Sequence, residues 1–135
     1  MSTYLAQRIA LVFGIVYVAI GLLGFVPGVT VSTAQAGQSL LLGIFAVNRI
    51  HNIAHLAVGA LLIWAGISAE HFSWLGKALA AVFALLVIVS FVAPIAEGVA
   101  INLPDTALHL VSALLVGFLA FGSTPARRQQ RSAHS

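Results

Sequence analysis

The chain has 135 residues, 61% of them hydrophobic and only 7% charged, with a net charge of +3 and a mean hydropathy of +1.08. That is the length of one domain with too few polar groups to coat a water-soluble fold, and it places the protein in lipid. The basic pI of about 10.2 does not mark a nucleic-acid-binding face, because three of the six Lys and Arg residues (Arg127, Arg128, Arg131) crowd into the last nine positions as a solvated tail. Cysteine is absent, which excludes disulfides, thiolate nucleophiles and Cys-ligated metals, so any metal site must use His, carboxylate or amide ligands.

The first apolar segment runs from about Ile9 to Val26, preceded by Arg8 and stopped by Pro27-Gly28. It is long enough to span, and it reads as a retained helix. A signal peptide cleaved near Ala34-Gln35-Ala36 is the competing interpretation, but that point lies far beyond the apolar stretch and the basic start is thin. Gly14, Gly21 and Gly24 lie on or near one side of this helix, where small residues let helices approach closely in lipid. Residues 29–39 carry no charge and read as a loop. Continuing Leu40–Val47 unbroken to Ile67 would make a helix of about 42 Å, longer than one span needs, so Leu40–Val47 is expected to be interfacial and the second span to start near Asn48.

Residues 68–76, with Glu70 and His71, are expected as a polar turn, flanked by Trp64 and Trp74 in an interfacial aromatic belt. The third span covers about Leu75–Ala96 and is nearly featureless. The fourth starts near Pro104, whose fixed dihedral suits a first helical turn, and runs to about Gly122. With four spans both termini share a side. Arg8, Lys77, Arg127, Arg128 and Arg131 fall there against Arg49 alone on the other, which orients the termini to the cytoplasm.

Against this apolar background the stretch Asn48-Arg49-Ile50-His51-Asn52-Ile53-Ala54-His55 stands out. The second and fourth spans run in the same direction, so residues at equal distances from their starts sit at equal depths. His51 and His55 on one, and Asp105 and His109 on the other, are both i, i+4 pairs on single helical faces. The expected contacts are His51 with Asp105 and His55 with His109. Asn48, Arg49, Asn52, Glu97 and Asn102 belong to the same layer and are candidates for a supporting shell.

Ionisable groups inside spans are expensive and tend to mark function. Neutral imidazole is a ligand for zinc, copper and iron, so His51, His55, Asp105 and His109 make a candidate metal set, and His55 with His109 alternatively a candidate axial pair for haem b. Two other readings stand beside these: polar groups that only tie helices together, as in a structural or accessory subunit of a larger complex, and a proton or ion pathway. Asp105, just after Pro104, also suits a helix start electrostatically. His71 and His134 read as solvated loop and tail residues. No H-E-x-x-H motif, phosphate loop, dinucleotide fingerprint or nucleophile beside a base is present, so nothing in the sequence argues for an enzyme.

The segments Gly21-Leu22-Leu23-Gly24-Phe25-Val26-Pro27-Gly28, Leu42-Gly43-Ile44-Phe45 and His51-Asn52-Ile53-Ala54-His55, followed by Asn102, Asp105, Leu108 and His109, together resemble the family catalogued as domain of unknown function 4383, small bacterial four-span membrane proteins. The resemblance covers most of the chain, implies four spans and singles out the same histidines and aspartate, and brings no established activity. Thr106 stands where many relatives carry asparagine, and the third span lacks a tyrosine associated with them. The expectation is therefore an all-α integral membrane four-helix bundle over residues 1–126 with a basic tail at 127–135. It sits in a bacterial cytoplasmic membrane with lipid, and other membrane proteins or a second copy of itself, as partners.

Overall fold

The structure, a computed structural model, describes residues 1–34, 37–92 and 99–124. Pro94, Glu97, Pro125, His134 and the tail at 127–135 lie outside the described residues. Four helices dominate: α1 (Thr3–Leu23), α2 (Arg49–Ile67), α3 (Phe72–Val92) and α4 (Leu103–Gly122). Each is long and apolar enough to cross a membrane, which makes the chain an all-α, multi-pass bundle as its composition predicts.

Helix starts are set by side-chain caps. The hydroxyl of Ser2 accepts from Leu5 N–H at 3.3 Å, the Asn48 side chain from His51 N–H at 2.9 Å, and the Asn102 side chain from Asp105 N–H at 3.2 Å. α1 therefore begins six residues before the expected Ile9: the cap, not the first apolar residue, starts the helix, and Arg8 is carried inside it with its guanidinium 4.9 Å over the Tyr4 ring. α3 likewise begins at Phe72 rather than Leu75, shortening the polar turn to residues 68–71. In that turn the Ser68 hydroxyl and His71 Nδ1 are 2.7 Å apart. His71 is half-buried, 4.8 Å between ring centroids from Trp64, rather than solvated.

A second correction concerns residues 29–47. The expected loop and interfacial segment form a small antiparallel sheet, β1 (Thr30–Ser32), β2 (Ser39–Leu41) and β3 (Phe45–Val47), in the order β1-β2-β3 with Thr30 opposite Leu41 and Leu41 opposite Phe45. Alternating Thr, Val and Ser favours strands, and the β2–β3 turn is made by Leu42 and Gly43, both at positive φ (53° and 72°). This sheet caps the end of the bundle at which α2 starts. At the opposite end the chain start meets the end of α4, where the Thr3 hydroxyl donates to Thr124 O at 2.7 Å.

Packing divides the bundle into two helical pairs, α1 with α2 and α3 with α4. The first pair is drawn together by glycine. A Cβ on Gly14 would stand 2.7 Å from Ile63 N and 2.8 Å from Gly59 O, so the two backbones touch with no room for a side chain. The core has two parts. Ala6, Ala10, Ala65, Phe72, Leu75 and Leu119 fill the end where the chain starts, and Tyr17, Leu62, Leu79, Phe83 and Val116 fill the middle. Above the middle layer, towards the sheet, the interior turns polar.

Candidate metal centre

α2 and α4 are offset in chain position but matched in geometry: His51 and Asp105 are each the third residue of their helix, and His55 and His109 each the seventh. The Asn48 and Asn102 caps fix where counting starts, so one turn of each helix presents two donors at the same depth. All four side chains are buried, none more than 6% exposed. One ligand atom from each lies within 4.8 Å of all the others.

His51 turns an electron pair toward the cluster, and His55 Nε2–H donates to it. His51 Nδ1 is 2.6 Å from the Ala100 carbonyl oxygen, which can only accept, so Nδ1 carries the hydrogen. In the neutral ring the other nitrogen, Nε2, then presents a lone pair to the cluster, 2.9 Å from His55 Nε2 and 3.4 Å from Asp105 Oδ1. A ring N–H anchored on a backbone carbonyl is the usual support of a metal-binding histidine, since it fixes the tautomer and the ring orientation. Asp105 Oδ2 and His109 Nδ1 stand 3.6 Å apart, beyond hydrogen-bonding distance, and both are buried without a hydrogen-bond partner among the described residues. Leaving a buried polar atom unpaired costs about 1–3 kcal/mol, and a cation placed among the four donors removes that cost for both.

The distances suit one ion. Bonds of about 2.0–2.1 Å to a four-coordinate zinc place neighbouring ligand atoms about 3.3 Å apart; the 2.9, 3.4 and 3.6 Å contacts lie around that value, and the donors, all within 4.8 Å of one another, would close up by a few tenths of an ångström or more on an ion.

The chain belongs to the DUF4383 family. Its family model, described as a domain of unknown function, matches residues 7–122, which takes in α2, α3, α4, all but the first turn of α1, the sheet and the four donors. No curated protein matches the chain, and no solved structure does. Membership in DUF4383 brings no activity with it.

The supporting residues divide. Asn48 and Asn102 act through the backbone as helix caps, and the Asn102 amide also donates to Ile44 O at 2.8 Å, tying α4 to the sheet edge. Asn52 is buried with its amide packed against Gly24, where a Cβ would overlap it. Arg49 is exposed at the first residue of α2, and Glu97 lies outside the described residues. Thr106 hydrogen-bonds back to Asn102 O at 3.1 Å.

Two residues that the sequence argument passes over complete the surroundings. Tyr17 on α1 packs its ring 5.0 Å from His55, and its hydroxyl lies 2.7 Å from the hydroxyl of Ser112. Ser112 continues the Asp105–His109 face by one more turn, and Tyr17 carries the one hydroxyl in the centre of the first span, so both could have been read from position. Phe83 closes the inner side, 6.1 Å between ring centroids from His109.

Proposed function

We propose that this is a metal-binding protein of the bacterial cytoplasmic membrane, holding one divalent first-row transition ion between α2 and α4 at the extracytoplasmic end of the bundle. His51, His55, Asp105 and His109 are its ligands. The observation that carries this reading is the pair of buried atoms, Asp105 Oδ2 and His109 Nδ1, that have no hydrogen-bond partner among the described residues, beside a histidine whose tautomer is fixed with its lone pair inward. Three imidazoles and a carboxylate without sulfur suit zinc, copper(II) or iron(II).

An ion is favoured over haem b. Axial ligation by His55 and His109 would need clear space around the iron for a flat macrocycle, and His51 Nε2 stands 2.9 Å from His55 Nε2, inside that space. The alternative of a purely structural cluster is disfavoured by the same two unpaired atoms, because groups kept only to tie helices together would be expected to pair with each other.

The test is elemental analysis and an absorption spectrum of freshly purified protein, repeated on Asp105→Asn and His109→Ala. The expected result is stoichiometric metal with no Soret band, lost in both variants by more than the roughly 10–100-fold in affinity that supporting-shell changes cost. A Soret band, full metal retention in both variants, or a metal-free protein that takes up no zinc, copper or iron on reconstitution would overturn it.

A further inference from the structure

An open-sided apolar groove of about 550 Å³ runs along the outside of the bundle between α3 and α4. Ala80 of α3 and Gly117 of α4 meet across it, where a Cβ on Gly117 would stand 3.7 Å from the Ala80 Cβ, and the short side chains of Ala81 and Ala84 leave it unfilled. A cation stands at one end. Lys77 holds its ammonium 5.2 Å over the ring of Phe121, so the charge lies at the level where α3 begins and α4 ends. Among the described residues both ion pairs belong to Asp105, and Lys77 has no carboxylate partner.

We infer that this groove is a binding site for an anionic phospholipid, with one acyl chain lying in it and the phosphate on Lys77. Length and charge carry the inference together. Along α3 the lining extends from Lys77 to Ile88, about 16 Å at 1.5 Å per residue. Half of a hydrocarbon core of about 30 Å is about 15 Å. The groove therefore reaches from headgroup level to the mid-plane, the depth of a single leaflet. At its mouth an unpaired ammonium meets the phosphate of a lipid seated there, and the methylene stem of the lysine lies along the apolar wall.

A second copy of the chain fits less well. A partner helix would need a face that continues across the whole span, and this one stops near the middle. Two-fold symmetry about the membrane normal would also bring Lys77 of both copies to one depth across the contact, with like charges opposed. The close approach that small residues allow is already used within the chain, by Ala80 and Gly117.

The experiment reads lipid retained by the full chain in detergent micelles, by native mass spectrometry, after exposure to equal amounts of phosphatidylglycerol and phosphatidylcholine with identical chains. The expected result is one bound phosphatidylglycerol, preferred about fivefold, the contribution of one lysine beside an anionic surface. Lys77→Gln is expected to abolish the preference. Ala84→Leu, which puts a side chain into the groove, is expected to lower retention of both lipids at least about fivefold by overpacking. Arg49→Gln, which removes an exposed cation at the other end of the bundle, is expected to behave as the parent does.

Equal retention of the two lipids by the parent, a preference that survives Lys77→Gln or falls equally in Arg49→Gln, or unchanged retention in Ala84→Leu would overturn the site. A lipid-free dimer of the parent that Ala84→Leu separates would overturn it in favour of a second copy. If Ala84→Leu does not fold, the headgroup preference decides: its presence in the parent and loss in Lys77→Gln sustain the site, and any other pattern overturns it. The metal centre is untouched by each of these outcomes.

Discussion

The seam between α1 and α2 and the seam between α2 and α4 hold the bundle by opposite means. At the first, Gly14 and Gly59 let two backbones touch, and the contact is made of shape alone. At the second, the helices belong to different packing pairs and are joined at the sheet end by His51, His55, Asp105 and His109, with the Tyr17–Ser112 hydroxyl contact linking α1 to α4 one layer below. Lipid offers no hydrophobic drive to bring helices together, so a seam needs either close packing or polar contacts. The first seam is complete as it stands. The second has two unpaired atoms at its centre, and its strength depends on what fills them.

Filling the glycine seam is the most severe way to break this arrangement. Gly14→Val puts a Cβ 2.7 Å from Ile63 N, and the obstacle is backbone, which cannot swing aside as a side-chain end could. Overpacking of this kind costs about 3 kcal/mol or more, read as a shift of unfolding in mixed micelles of increasing SDS content. A variant that unfolds with the parent would show that the helices are held apart from the contact described.

The polar seam breaks next. If a metal occupies it, removal by a chelator withdraws the stabilisation that a bound ion supplies, about 2.7 kcal/mol at a free concentration of 100 times the dissociation constant. The loss should appear at the second seam alone: faster amide hydrogen exchange in the first turns of α2 and α4, with the middle of α1 and α2 around Gly14 and Gly59 unchanged. Uniform loosening of all four helices would mean that the two seams are not independent.

How much of this was legible in the sequence follows the same division. The four donors could be placed at one depth because Asn48 and Pro104 mark helix starts in the sequence and each pair is four residues apart, while the structure puts the fourth helix's cap at Asn102. The sheet was not legible: its strands are three residues long, shorter than the four to eight over which alternation can be read. Nor was the tautomer of His51, which is set by the Ala100 carbonyl, a backbone group that no residue letter announces.

Tyr17→Phe sharpens the comparison more gently. It removes one hydroxyl from the α1–α4 link and leaves the ring against His55 in place. Hydrogen bonds between membrane helices average about 0.6 kcal/mol and reach about 1.7. The buried Ser112 hydroxyl keeps its own bond to Leu108 O at 2.8 Å after the change, so it is not left unpaired, and the cost should stay near the lower figure. Metal content should be unaffected, because Tyr17 touches a ligand's ring and no ligand atom. Loss of metal in this variant would move Tyr17 into the site.

The smallest effect tests whether glycine matters for being glycine or for where it stands. Gly117 lies on α4 facing α3, in another membrane-length apolar span, and by composition alone it looks equivalent to Gly14. A Cβ there would meet only the Ala80 Cβ, at 3.7 Å, an ordinary van der Waals contact. Gly117→Ala therefore adds a methyl group to a surface with room for it and removes some backbone freedom from the unfolded chain, a change that stabilises by about 0.4–1 kcal/mol where the conformation is compatible. The expected result in the same SDS titration is a neutral or slightly later transition. A loss comparable to that of Gly14→Val would mean that α3 and α4 approach at Gly117 as closely as they do at Gly76, where a Cβ would stand 2.7 Å from the Ala120 Cβ.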